Sequence, residues 1–155
     1  ISSAASDVYK RQPFVVNQPS YSMLNRWIED DGLYDFAAKE GFGLAVFSPL
    51  YQGFLTDRYL NGVPEDSRVG KGKTWIGNEL DEAMLKKLRA LNELAAERGQ
   101  KLSQMALSWV LRGGKVTTVL VGASRPEQLA ENAEAVKNLD FSPDELDRIE
   151  KILKS

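Results

Sequence analysis

The segment with the clearest chemical meaning is Gly122-Ala123-Ser124-Arg125, which joins a short apolar run to a predicted helix. Glycine lets a ligand approach the backbone, and the unpaired N–H groups at a helix start attract anions. Ser124 and Arg125 add side-chain donors. The segment therefore predicts a phosphate site. The alternative is a simple capped helix, because Ser124 and Glu127 have the spacing of a capping box.

An aromatic ring and an amide end two other apolar runs. Phe47 is followed by Ser48-Pro49-Leu50, and Gln18 closes the run Phe14–Gln18. If both runs are parallel strands, these side chains lie at the carboxyl edge of a sheet, where ligands bind. Phe47 could stack there on a planar cofactor, and Gln18 could bind a carboxamide or carbonyl group. The alternatives are a core phenylalanine and an ordinary loop contact.

Two further sets of polar residues have an open interpretation. The long polar loop from Leu50 to about Asn78 carries cations that could clamp phosphates or only keep the loop soluble: Arg58, Arg68, Lys71 and Lys73. Three residues share one helix face and could contact the edge of a base or form a solvated surface: Gln128, Glu131 and Asn132. The acidic pairs Asp30-Asp31 and Asp81-Glu82 are predicted to cap helices and to interact with their dipoles.

Composition excludes several kinds of chemistry. The 155 residues include neither cysteine nor histidine, which rules out disulfides, thiolate or histidine metal sites, and a Ser-His-Asp triad within this chain. The net charge of −2 indicates no nucleic-acid surface. No apolar run is long enough for a membrane span, and the start shows no signal-peptide pattern. We therefore expect a cytoplasmic protein with no membrane or nucleic-acid partner.

The apolar pattern predicts short buried strands that alternate with helices. The strands are Phe14–Gln18, Leu44–Phe47 and Val116–Val121. Six helices are predicted: a short one around Leu24–Ile28, Leu33–Glu40, Leu80–Arg98, Ser103–Arg112, one after Ser124 and one after Ser142. Trp27 is expected in the core, and Ser103 is expected to cap its helix. The last two helices are expected to turn these residues inward: Leu129, Ala133 and Val136 in the first, and Leu146, Ile149 and Leu153 in the second.

This order is typical of a parallel α/β sheet. Three strands leave two apolar edges open, which favours part of a larger fold and predicts low stability or self-association.

Residues 1–12 fit the fold poorly. Asp7–Gln12 back-translates to a string similar to a sequencing-library adapter, so we predict an adapter-derived or vector-derived segment, with a native flexible arm as the alternative. Residues 13–155 are then a C-terminal fragment.

Three segments in order resemble the aldo-keto reductase superfamily: Asn17–Tyr21, Phe47–Gly53 and Val121–Asn132. The nearest branch holds L-glyceraldehyde 3-phosphate reductase and the potassium-channel β subunits. The resemblance implies a (β/α)8 TIM barrel that binds NADP(H) across its C-terminal face. The three strands are then the sixth, seventh and eighth, and the barrel is incomplete in this chain.

The resemblance also implies roles for individual residues. Phe47 matches the ring that stacks on the nicotinamide, Gln18 the amide that holds its carboxamide, and Ser124 a ligand of the 2′-phosphate. The loop on the pyrophosphate side of the cofactor is matched by Ser48, Pro49, Leu50, Gln52 and Gly53, and Arg58 occupies a position that is usually basic. Arg68 matches the arginine that folds over the adenosine half, and Gly122 the glycine between strand and helix. The contacts to the adenine are matched by Gln128, Glu131 and Asn132.

The catalytic residues of the family do not match this chain. The resemblance places the catalytic Asp, Tyr, Lys and His in the first four β/α units, so no catalytic residue is predicted here, and Tyr21, Tyr51 and Lys39 are not assigned that role. The expected function is a C-terminal fragment of an NADPH-dependent aldo-keto reductase, inactive alone, whose parent reduces small carbonyl substrates to alcohols. The alternatives are an NADP-sensing non-enzymatic subunit, a half-barrel that pairs as two copies, or an inert fragment.

Overall fold

A computed structural model describes residues 15–65, 69–72 and 80–155. Three strands form one parallel sheet in the order β1 (Val16–Asn17), β2 (Gly43–Phe47) and β3 (Thr118–Leu120). Val16 is opposite Gly43, and Phe47 is opposite Leu120. The predicted parallel sheet is confirmed. The first and third strands are shorter than predicted, the second begins one residue earlier, at Gly43, and Phe14 lies outside the described residues.

Six α-helices occur in the described residues, and most match the predicted positions. They are α1 (Trp27–Asp30), α2 (Leu33–Glu40), α3 (Glu82–Glu97), α4 (Leu102–Leu111), α5 (Pro126–Ala133) and α6 (Pro143–Lys154). Short 3₁₀ turns lie at Tyr51–Gly53, Asp57–Tyr59, Arg112–Gly114 and Glu134–Lys137.

Capping side chains define several of the helix ends, as the sequence predicts. Asp81 accepts a hydrogen bond from the Met84 N–H at 2.8 Å, and Asp31 accepts one from the Leu33 N–H at 2.9 Å. Ser142 and Glu145 form a reciprocal capping box at the start of α6. Gly41 ends α2 with a φ of 77°, in the left-handed region that favours glycine.

The core lies between one face of the sheet and the helices. Leu44 and Val46 of β2 are fully buried in the same cluster as Leu88, Trp109 and Ile149. The inward positions of α6 are confirmed, since Leu146 and Leu153 pack against this cluster as well. Alternate residues of a strand point to opposite faces. The other face of β2 therefore carries Phe47, which is 41% exposed.

Two predictions about side-chain position near α1 and α4 are wrong. Trp27 is 41% exposed, and its indole N–H donates to the Ser20 carbonyl at 2.9 Å, so it is not a core residue. Ser103 does not cap α4, because it is buried inside the first turn of that helix. Gln104 accepts from the Lys101 N–H at 2.9 Å instead.

The start and the inner face of α5 also differ from the prediction. The N-terminal cap position is Arg125, and Ser124 does not form the predicted capping box with Glu127. Leu129 and Val136 are 53% and 61% exposed, so neither lines the core. α5 follows the outer strand β3, where the described residues include no further strand to cover those two side chains.

Candidate functional site

The predicted site residues follow the carboxyl ends of the three strands. Gln18 is the first residue after β1, Ser48 follows β2, and Gly122 follows β3 after one residue. Because the strands are parallel, these three segments meet at one edge of the sheet. Gln18 and Gly122 are exposed there. A Cβ at Gly122 would meet no protein atom within 4 Å, so packing does not require glycine at that position.

The segment after β2 has an unusual backbone. Ser48, Tyr51 and Gln52 have φ values of 56°, 46° and 54°, and they are the only non-glycine residues with positive φ in the described part of the chain. Gly53 continues the run at 95°. Such conformations cost about 1 kcal/mol or more each and concentrate at functional sites. Their clustering in six residues marks this turn as a candidate ligand-binding segment.

Buried residues beneath the turn hold this backbone in place. Pro49 is buried, and Phe54, Leu55 and Tyr59 are at most 2% exposed. The Phe54 ring centre lies 5.3 Å from that of Tyr59 and 5.8 Å from that of Tyr51. The Thr56 hydroxyl donates to the Gly53 carbonyl at 2.6 Å. The turn is therefore a fixed part of the fold.

Phe47 is positioned by backbone pairing, and its ring remains partly exposed. Its N–H donates to the Pro19 carbonyl at 3.0 Å, and its carbonyl accepts from the Tyr21 N–H at 3.1 Å. These bonds extend the pairing of β2 with the segment after β1. The ring is 41% exposed in the described part of the chain, so a ligand can contact it.

Ser124 and Gln128 are brought together at the start of α5. The Ser124 N–H and hydroxyl both lie 3.0 Å from Gln128 Oε1, which accepts from each. Two donors thus converge on one oxygen atom. A phosphate oxygen that replaced the amide oxygen would receive the same two hydrogen bonds.

The sequence analysis missed a contact between Lys101, at the start of α4, and Glu131, one of the predicted site residues. The Lys101 ammonium group donates to the Glu131 carboxylate at 2.5 Å, and Gln104 Nε2 donates to the Glu131 carbonyl at 3.0 Å. The hydrogen bond with Glu131 raises the pKa of Lys101, and the charge of Asp57 raises it further. The available signal was that Lys101 occupies the N-cap position of α4, where Ser, Thr, Asp or Asn is usually found.

The remaining predicted residues are placed as follows. Leu50, Gln52 and Asn132 are half-buried, and Arg58 is exposed next to Asp57. The Arg58 N–H donates to the Thr56 hydroxyl at 3.3 Å. Arg68 and Lys73 lie outside the described residues, so their predicted roles stay predictions.

A second polar cluster joins the segment after β1, helix α1 and the end of α4, and it was also missed. Glu29 accepts from the Tyr21 hydroxyl, from Arg26 at 2.5 Å and from Arg112 at 2.9 Å. Arg112 also donates to the Tyr21 oxygen at 3.0 Å. The guanidinium carbon of Arg112 lies 3.5 Å from the ring centre of Trp109.

This cluster has a structural role. Tyr21 is fully buried, and this burial raises the pKa of its hydroxyl despite the nearby Arg112 charge. Burial alone would raise the pKa of Glu29, but the hydrogen bonds from Tyr21, Arg26 and Arg112 outweigh it and lower that pKa. Because Tyr21 is enclosed in this arrangement, its hydroxyl cannot meet a substrate.

Comparison with known families places the chain. Residues 3–154 match the model of the aldo/keto reductase family, so the chain belongs to this family. The fold agrees with part of its (β/α)8 barrel, since the chain superposes on glycerol dehydrogenase AKR11B4 from Gluconobacter oxydans with a TM-score of 0.75 and 25% identity. That superposition covers 99% of this chain and 46% of the dehydrogenase.

Two curated relatives show the range of the branch. An L-glyceraldehyde 3-phosphate reductase from Escherichia coli is 51% identical over 142 residues, which cover 89% of this chain and 41% of the relative. A putative voltage-gated potassium channel subunit beta from Schizosaccharomyces pombe is 36% identical over 90% of this chain and 42% of the relative. The chain thus spans less than half the length of these relatives.

None of the helices in the described part of the chain has the length and apolarity that crossing a bilayer requires.

Proposed function

We propose that this chain is the cofactor-binding, C-terminal portion of an NADP(H)-dependent aldo-keto reductase whose substrates are small aldehydes or ketones. The observation that carries the proposal is the strained turn Ser48–Gly53 beside the exposed ring of Phe47, at the edge that also holds Ser124. On an aldo-keto reductase scaffold, this combination fits a ligand with a flat ring and phosphate groups.

The residues present fit NADP(H) in chemical type. The Phe47 ring would support the nicotinamide, the Gln18 amide would bond its carboxamide, and the converging Ser124 donors would bind a phosphate. When bound, the cofactor would supply the hydride for reduction of a carbonyl group. The chain's own part is to hold and orient the cofactor. We place the general acid outside this chain, because the family resemblance assigns it to the first four β/α units, and the Tyr21 hydroxyl is enclosed by its own cluster.

A second candidate is a non-enzymatic subunit that senses NADP(H). The relatives named as potassium channel subunits favour it, with 36% identity for the example from Schizosaccharomyces pombe. The 51% identity to the Escherichia coli reductase favours the enzyme instead. Both candidates require nucleotide binding at the same sheet edge, so binding is the first property to test.

Replacing Phe47 with alanine is expected to weaken NADPH binding by about tenfold, because the stacking surface is lost. The measurement is a fluorescence titration of the full chain with NADPH. Phe36→Ala is the matched control, since Phe36 is a phenylalanine of α2 with 53% exposure. It should bind as the unchanged chain does. Failure of the unchanged chain to bind NADPH, or equal losses in the two variants, would contradict the proposed site.

Replacing Ser124 with alanine is expected to lower affinity for NADPH by about tenfold and to leave NADH binding nearly unchanged. The removed hydroxyl is one of two donors that converge on a single acceptor, and a bond to a charged phosphate contributes about 1.5–3 kcal/mol. Ser142→Ala is the control, because that hydroxyl caps α6. Parallel loss of NADPH and NADH binding would show that Ser124 does not contact the 2′-phosphate.

A further inference from the structure

Helix α5 turns polar residues toward the rest of the described chain. Its half-buried residues are Gln128, Glu131 and Asn132, and its other residues are exposed. None of its side chains is fully buried. In the described part of the chain, apolar packing therefore contributes little to the orientation of α5, and the polar contacts of these residues contribute more.

Gln104 of α4 uses both ends of its side-chain amide to join α4 to α5. Its Oε1 accepts from the Lys101 N–H at 2.9 Å at the start of α4, and its Nε2 donates to the Glu131 carbonyl at 3.0 Å. The Lys101 ammonium group also pairs with the Glu131 carboxylate, but exposed ion pairs contribute little. Because the Glu131 carbonyl belongs to the backbone, the Gln104 bond holds the helix itself and not only one side chain.

The point of attachment lies close to the Ser124 donors. Glu131 is about two helical turns from Ser124 and shares a helix face with Gln128. The Ser124 N–H and hydroxyl converge on Gln128 Oε1, each at 3.0 Å. Donors that bind one ligand atom must be held within about 0.5 Å of their productive positions. A change in the direction of α5 at Glu131 would therefore disturb their convergence.

We propose that Gln104 is a positioning residue for the phosphate site at the start of α5. Its hydrogen bond to the Glu131 carbonyl holds α5 in the orientation in which the two Ser124 donors converge. Gln104 acts through Glu131 and is not itself a ligand of the phosphate. The proposal rests on the function proposed above, since the phosphate concerned is the 2′-phosphate of NADP(H).

Replacing Gln104 with glutamate separates this role from the capping of α4. A carboxylate can still accept from the Lys101 N–H, and glutamate is a favoured residue at this position of a capping box. It has no N–H to donate to the Glu131 carbonyl. The melting temperature should therefore change little, whereas affinity for NADPH should fall about tenfold and affinity for NADH should stay nearly unchanged. Fluorescence titrations of the full chain with both cofactors, and thermal unfolding followed by circular dichroism, measure these effects.

Lys137→Met is the charge-matched control, because it makes the net charge more negative by one unit, as Gln104→Glu does. Lys137 pairs with Glu134 of its own turn at 2.5 Å, so this variant should keep the ratio of NADPH to NADH affinity. Gln104→Met adds no charge and should reduce that ratio as much as Gln104→Glu does.

Two results would overturn this inference alone: a Gln104→Glu variant that keeps the affinity ratio of the unchanged chain, or equal losses in Gln104→Glu and Lys137→Met. An unchanged chain that binds neither cofactor would overturn the proposed function together with this inference.

Discussion

Replacing Trp109 with alanine is expected to lower the free energy of unfolding by about 4 kcal/mol. Trp109 is 1% exposed and is the largest fully buried side chain in the described residues. Its ring centre lies 5.6 Å from that of Tyr21, and the guanidinium groups of Arg112 and Arg26 lie 3.5 and 5.1 Å from it. Alanine would leave a cavity and remove the aromatic surface that two partly buried cations contact.

The chain offers a matched control for this prediction. Trp27 is also a tryptophan, but it is 41% exposed, so Trp27→Ala should cost far less stability. Chemical denaturation followed by circular dichroism measures both variants, and Trp109→Phe should fall between them if the alanine variant does not fold. Equal destabilisation by Trp109→Ala and Trp27→Ala would show that Trp109 is not the centre of the core.

Replacing Glu29 with glutamine is expected to lower the free energy of unfolding by about 3 kcal/mol at neutral pH. The Glu29 side chain is 19% exposed and receives hydrogen bonds from Tyr21, Arg26 and Arg112. Glutamine would leave Arg112 without its carboxylate partner, while Arg26 would keep its ion pair with Glu150. Removing one member of a partly buried ion pair is costly because the remaining charge stays poorly solvated.

The pH dependence of this effect has a defined sign. Burial opposes ionisation of Glu29, but its three hydrogen-bond partners lower the pKa below the ordinary value of about 4.3. The stabilisation is therefore complete above that value and is lost as the pH falls through the folded-state pKa. Denaturation at several pH values should show the unchanged chain and Glu29→Gln converging in acid.

Glu97→Gln is the control for Glu29, because Glu97 also pairs with an arginine, Arg148, but is 56% exposed. It should change stability little, since exposed ion pairs contribute little. A Glu29→Gln variant as stable as Glu97→Gln at neutral pH would show that the Glu29 hydrogen bonds do not stabilise the fold.

The helices and strands were predicted well, because caps and apolar spacing depend on residues that are close together in the sequence. Helix α2 has the predicted bounds, and α3 begins at Glu82 because Asp81 caps it. Burial was predicted less well. Trp27 and Leu129 have apolar side chains at helical spacing, but the elements beside them leave both exposed. Apolar periodicity marks a face and does not show whether another element covers it.

The site was predictable only in part for a similar physical reason. Parallel strands place their carboxyl ends together, so Gln18, Phe47 and Gly122 were expected at one edge. The Tyr21–Arg112 and Glu29–Arg112 hydrogen bonds join residues 91 and 83 positions apart, and no short motif encodes them. Ser48 and Gln52 have positive φ although neither is glycine, so the sequence carried no sign of this backbone conformation. Packing on buried Phe54 and Tyr59 holds the turn in that conformation.

We propose that the chain holds the cofactor-binding part of a reductase whose catalytic residues lie outside it. The most direct measurement is a titration of the full chain with NADPH, followed by addition of a small aldehyde such as methylglyoxal while NADPH absorbance is recorded. We expect saturable one-to-one binding and no oxidation of NADPH above the protein-free rate. Absence of binding, or steady NADPH oxidation by the pure chain, would contradict the account.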